Sequence, residues 1–147
     1  MKVTVDTNVI LDVILSREPF HTSSQKLMIL SAEKKIQAFL TANSITDIYY
    51  FTAKYLKNPT EARRVLKVLF ATFGIISVGS DDLNRAIEIE MEDYEDALVV
   101  ACSKKNKSKC IISRDIKDFE TSSVPVMAPD DFIENYFPDT ILPTEVN

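Results

Sequence analysis

Five aspartates stand where a folded chain can bring acids together: Asp6, Asp47, Asp93, Asp96 and Asp115. Asp93 and Asp96 are three apart, so they share one face of a helix. Gathering carboxylates away from water is costly unless a cation neutralises them. A cluster without histidine or cysteine favours hard ions such as Mg2+ or Mn2+. Little other chemistry is open to this chain. His21 is the only histidine; it lies in a plain helical pattern and reads as an exposed residue of a helix's first turn. Cys102 and Cys110 have no paired ligand spacing, which disfavours a structural zinc site. Two glycines, Gly74 and Gly79, are too few for phosphate-cradling loops. Each acid taken singly has a structural explanation. Asp6 can cap a helix, Asp47 can follow Ser44 in a capping box, and Asp115 can start a turn. Asp93 and Asp96 suit the positive end of a helix dipole.

The elements around these acids decide whether they meet. Lys2–Val5 is a β-branched run, followed at once by Val9, Ile10, Val13 and Ile14 at helical spacing until Pro19. A second helix is expected over 22–35, with Leu27, Met28 and Leu30 inward, then a strand over 36–41. Ser44 is read as the cap of a third helix carrying Ile45, Ile48, Tyr49 and Leu56 inward. Asn58 and Pro59 open a fourth, with Glu61 completing a capping box and Gly74 ending it. Residues 75–78 read as a third strand. Ser80 caps a fifth helix, a sixth starts near Asp93, and 110–113 and 124–127 read as the last strands. Pro129 opens a final helix, and the proline-containing tail, 138–147, reads as disordered or available to a partner. Alternating strands and helices predict an α/β fold, a parallel sheet with helices on both faces, in a single domain over 1–137. In such a sheet ligands sit outside the carboxyl ends of the strands. Asp6 ends the first strand, Asp115 follows the fourth, and Asp47 lies in the first turn after the second, so these three can share one edge.

The chain has 147 residues, enough for one domain with a sizeable core. Its net charge is −5, from 17 basic and 22 acidic residues, which argues against a nucleic-acid binder held by a basic surface. It does not argue against an acidic site carrying divalent cations, because bound ions reverse the local field. No run of about 20 apolar residues predicts a membrane span. Asp6 interrupts the apolar stretch of the amino terminus, so a secretory signal is not expected. Both cysteines are therefore expected reduced, in a cytoplasmic protein.

Three motifs in order resemble those of PIN domains. Asp6-Thr7-Asn8-Val9-Ile10-Leu11 resembles the family's opening motif. Asp93-Tyr94-Glu95-Asp96-Ala97-Leu98-Val99-Val100-Ala101 resembles its third-acid helix. Ile111-Ile112-Ser113-Arg114-Asp115-Ile116-Lys117-Asp118-Phe119 resembles its fourth motif. The resemblance covers nearly the whole chain, to about residue 137. It implies a three-layer α/β/α sandwich around a central parallel sheet and Mg2+- or Mn2+-dependent hydrolysis of RNA phosphodiesters. Carried over, it makes Asp6, Asp47, Asp96 and Asp115 the acidic quartet. Asp6, Asp96 and Asp115 then hold the metal, and Asp47 completes the site or bridges to a second ion. The second acid of the family is commonly Glu; here Asp47 supplies a shorter side chain. Asp93 and Asp118 become outer acids, while Thr7, Asn8 and Ser113 hold the ligands by hydrogen bonds. Phosphate contacts are sought in Arg63, Arg64 and Lys67, or in Lys104, Lys105, Lys107 and Lys109.

Small single-domain members of the family are often VapC-like toxins, which implies a homodimer and an antitoxin partner inserted near the site. The aromatic residues Tyr49, Tyr50, Phe51 and Tyr55 are candidates for that surface. Other readings differ in the chemistry they require. A catalytically silent module of the same fold would bind RNA or protein and need no metal site. A haloacid-dehalogenase phosphatase wants a second Asp two residues after the first, where this chain has Asn8. A receiver-type phosphoacceptor wants an acid beside Asp6, where Val5 and Thr7 stand, although Asp81 and Asp82 follow the third strand.

Overall fold

The computed structural model describes residues 1–143. In chain order these form β1 (Lys2–Val5), α1 (Thr7–Ile14), α2 (His21–Ala32), β2 (Gln37–Thr41), α3 (Ala42–Leu56) and α4 (Pro59–Thr72). They continue through β3 (Gly74–Ile76), α5 (Ser80–Ile87), α6 (Tyr94–Lys105), β4 (Cys110–Ile112), a 3-10 turn (Ile116–Phe119), β5 (Val126–Met127) and α7 (Pro129–Tyr136). The five strands form one parallel sheet in the order β3-β2-β1-β4-β5.

Period-two alternation explains the three layers. Val3 and Val5 of β1, Ala38 and Leu40 of β2, and Cys110 and Ile112 of β4 point to one face. There they pack with Val9 and Ile10 of α1, Leu27 and Leu30 of α2, Ile48 of α3, Leu69 of α4 and Phe132 of α7. Phe39 and Ile111 point the other way, toward α6. Because β1 and β4 are covered on both faces, their strands read as near-continuous apolar runs. The chain builds outward from β1 to β3, then crosses back to place β4 on the other side of β1. The order therefore reverses between β1 and β4, and a crevice opens at their carboxyl ends. Among the described residues no helix is long and apolar enough to cross a membrane.

Several local expectations are corrected. The third helix starts at Ala42 with Thr41 as its cap, so Ser44 lies within the helix, buried, its hydroxyl 2.7 Å from that of Thr41. Asp47 is consequently in the second turn. Leu56 is exposed at the end of α3. Asn58 caps α4 by accepting from the Glu61 N–H, but the Glu61 carboxylate pairs forward with Arg64. His21 is only partly exposed, with Nδ1 3.0 Å from Glu18. Gly79, rather than Ser80, occupies the cap of α5, and its N–H donates to Asp82 at 2.9 Å. Of the tail, residues 138–143 are described and Leu142 is buried; the reading of 144–147 as disordered concerns residues outside the described ones.

Gly74 opens β3 and does not end α4, which stops at Thr72 with Phe73 extended. Its lack of a side chain serves a close approach: a Cβ there would lie 2.5 Å from the Phe39 ring. Gly74→Ala is expected to cost about 1–3 kcal/mol, as overpacking does. In urea denaturation the cost should shrink in a Phe39→Leu background; an equal cost in both backgrounds would show that the ring is not the obstacle.

Asp82 is buried and receives Gly79 N–H, Lys105 Nζ at 2.7 Å and Arg85. The Gly79 hydrogen bond, then Lys105, hold its carboxyl below the ordinary range. A depressed carboxylate stabilises the fold fully above its unfolded value, about pH 4, and this contribution is lost as pH falls through the lower folded value. Asp82→Asn should therefore flatten the acid limb of stability measured between about pH 5 and 3.

Candidate active site

The crevice is built by the ends of β1 and β4. The last ladder bond between them runs from Asp6 N–H to the Ile112 carbonyl at 2.9 Å. Beyond it the chain turns into α1, and Asp6 caps that helix: Oδ1 accepts from Thr7 N–H at 2.9 Å. Capping occupies only one carboxylate oxygen. The other, Oδ2, accepts from the buried Ser113 hydroxyl at 2.8 Å. Asn8, the second residue of α1, reaches across with its amide. Nδ2 donates to Asp115 Oδ2 at 2.9 Å and lies 3.4 Å from Asp6 Oδ2, while Oδ1 accepts from Arg114 N–H at 3.3 Å. Ser113 Oγ also accepts from Asp115 N–H at 3.1 Å. Asn8 and Ser113 thus tie two carboxylates from distant parts of the chain into one network.

Helices bring the remaining acids. Asp93 caps α6 by accepting from Asp96 N–H at 3.0 Å, which sets Asp96 in the first turn. Asp47 comes from α3. Asp6, Asp47, Asp96 and Asp115 line one open cleft of about 240 Å3, together with Thr7, Asn8, Ser44 and Asn43. Asp93 and Asp118 lie instead around an adjoining cleft of about 530 Å3, whose wall Asp96 shares. Glu95 also lines the smaller cleft and was not anticipated from sequence. Adjacent helical residues normally face apart, so its place beside Asp96 gave little reason to select it.

The electrostatics follow from this crowding. Burial raises the Asp6 carboxyl above its ordinary value, against the hydrogen bonds from Ser113 and Thr7. Asp47, ahead of burial, raises Glu95. Asp96 is pushed up to about 7, first by desolvation and then by Asp6, Asp93, Asp118 and Asp115. The charges acting most strongly on Asp96 are all negative. A hard divalent cation suits this set, which offers oxygen donors and a repulsion to relieve. Among the described residues no three acids already close into a ligand cage; they line the walls of an open cleft.

The two basic groups are placed differently. Lys105 is engaged by Asp82 and by the Ser77 carbonyl at 2.6 Å. Lys107 and Lys109 precede β4, at the end of the sheet away from the acids, and Lys109 lies over the Tyr136 ring. On α4, Arg64 pairs with Glu61, whereas Arg63 and Lys67 are exposed. None of these lysines or arginines lines the acidic cleft.

Parallel strands between two helical layers, with aspartates lining a crevice where the strand order reverses, define an α/β/α protein with a carboxylate site. The chain belongs to the PIN domain family, whose family model matches residues 2–117. It is 29% identical over 140 residues to Ribonuclease VapC1 of Aquifex aeolicus, covering 92% of this chain and 95% of that one. Its fold is similar to that of VapBC2 from Rickettsia felis, bound to a promoter DNA fragment, with a TM-score of 0.69 at 15% identity over 87% of this chain and 98% of that one. It is also similar to Mycobacterium tuberculosis VapC20, a toxin cleaving the sarcin-ricin loop, with a TM-score of 0.58 at 14% identity over 74% and 86%.

A carboxyl raised on folding makes the native state hold more protons than the unfolded one. Stability then falls as pH rises from the unfolded value to the folded one. In EDTA the melting temperature should drop between about pH 4 and 7, and Asp96→Asn should remove much of the drop. An unchanged slope in the variant would show that Asp96 does not carry the repulsion.

Proposed function

We propose that this protein is an endoribonuclease dependent on Mg2+ or Mn2+, acting as the toxin of a toxin–antitoxin pair. The observation that carries the reading is the convergence of Asp6, Asp47, Asp96 and Asp115 on one cleft, where desolvation and neighbouring aspartates push the Asp96 carboxyl up to about 7. Similarity to a ribonuclease along almost the whole of both chains supports it. Asp6, Asp96 and Asp115 would hold the ion, with Asp47 completing the site. When bound, the ion acidifies water and offsets charge on phosphate oxygens. Asn8 and Ser113 orient Asp6 and Asp115; Thr7 fixes the other oxygen of Asp6. Asp93 and Asp118 act from the adjoining cleft by raising the proton affinity of Asp96.

Residues 1–137 would form the nuclease domain, with 138–147 as its tail, in a cytoplasmic setting where Cys102 and Cys110 stay reduced. Tyr50, Phe51, Tyr55 and Leu56 on α3, with Val68 and Phe70 on α4, leave large apolar side chains exposed. Such a surface supports an antitoxin partner and a homodimer.

The test is incubation with a mixed RNA pool in Mg2+, Mn2+ or EDTA. Partners of metal ligands typically contribute about 10–100-fold, so losing a ligand in Asp6→Asn, Asp96→Asn or Asp115→Asn should cost more than about 100-fold. Full cleavage by a folded Asp96→Asn protein would refute the assignment. No cleavage with any metal would favour a catalytically silent module.

A further inference from the structure

Asp12 is an acid that the proposed reaction does not use. It lies on α1 with no exposure to solvent, four residues after Asn8 and therefore on the same helix face. Its partner is Arg114, which immediately precedes Asp115. Nε and Nη2 donate to Asp12 Oδ2 and Oδ1 at 2.8 and 3.2 Å. The Phe20 ring lies 4.4 Å from the guanidinium carbon, and Arg17 approaches Asp12 at 3.7 Å. One face of α1 thus grips the same residue twice: Asn8 takes the Arg114 N–H, and Asp12 takes its side chain.

We propose that the Asp12–Arg114 pair is a positioning device for the cleft, clamping the turn after β4 to α1 so that Asp115 is held against Asn8 and Asp6. Replacing a buried ion pair by apolar groups is often neutral for stability, so stability alone does not account for it. A two-pronged guanidinium–carboxylate contact does fix direction. Both anchors of the turn come from one rigid helix. Without the outer anchor, the turn would hang on the Asn8 and Ser113 bonds alone. The guanidinium is also drawn away from the cleft and does not line it, so Arg114 acts through Asp115 rather than on RNA.

The inference rests on the proposed metal site, and calorimetric titration with Mn2+ separates the two. Wild type, Asp12→Asn, Arg114→Met, the double variant and Arg114→Lys are compared, with RNA affinity in EDTA and melting temperature measured alongside. Each single variant is expected to weaken Mn2+ binding about tenfold, the low end for residues supporting metal ligands. The double variant should be no weaker than the worse single one. Arg114→Lys, which keeps charge without the fork, should fall below wild type, and RNA affinity in EDTA should stay within about twofold. Arg114 is partly exposed, so Arg114→Lys decides the matter if Asp12→Asn does not fold. Variants that melt earlier yet bind Mn2+ like wild type would reduce the pair to a structural role and overturn the proposal. Restoration of wild-type affinity in the double variant would overturn it too, by showing that Asp12 only keeps Arg114 out of the cleft. Absence of Mn2+ binding in wild type would overturn the metal reading itself, and this proposal with it.

Discussion

The parallel ladder between β1 and β4 ends in the hydrogen bond from Asp6 N–H to the Ile112 carbonyl. Everything at the site depends on that junction. Residues far apart in sequence, Asp6 and Ile112, become neighbours there, and their main chains leave in different directions, one into α1 and one into the turn carrying Asp115. The gap between them is filled by Asn8 and Ser113, whose polar groups meet two carboxylates at once. Because strand order reverses at this junction, no crossover helix covers the edge, and the acids remain open to a ligand.

The same junction creates the site's electrical character. Negative charge is spread through the chain, and here it is concentrated at the end of the sheet, where desolvation adds to repulsion. Asp96 shows both effects, since burial and four neighbouring aspartates raise it together. Away from the cleft, buried acids are neutralised within the fold: Asp82 by Lys105 and Arg85, Asp12 by Arg114 and Arg17. That difference separates acids paired with basic side chains from the cleft acids, whose strongest charged neighbours are other acids. Sequence pattern alone does not reveal it.

Misread elements have physical causes of the same kind. Ser44 has the residue type of a cap, but the helix starts earlier because Thr41, ending β2 in extended geometry, already provides the transition. Gly74 follows a helical run and so resembles a terminator; its purpose lies in the Phe39 ring of the neighbouring strand, which no local rule can see. The lysines before β4 look like a phosphate-binding patch until parallel topology puts them at the wrong end of the sheet. Glu95 and Asp12 escaped notice because their importance comes from Asp47 and Arg114, partners far away in sequence.

By itself the sequence determined the alternation of strands and helices, the faces that Leu27, Leu30 and Ile48 bury, and the choice of carboxylates over histidine or cysteine. These are local properties: periodicity and residue type act within a few positions. Tertiary structure alone decided which aspartates share a cleft, which lysines are consumed by internal pairs, and which acids raise one another's proton affinity. Those depend on distance through space, and only the closing of β1 against β4 sets it.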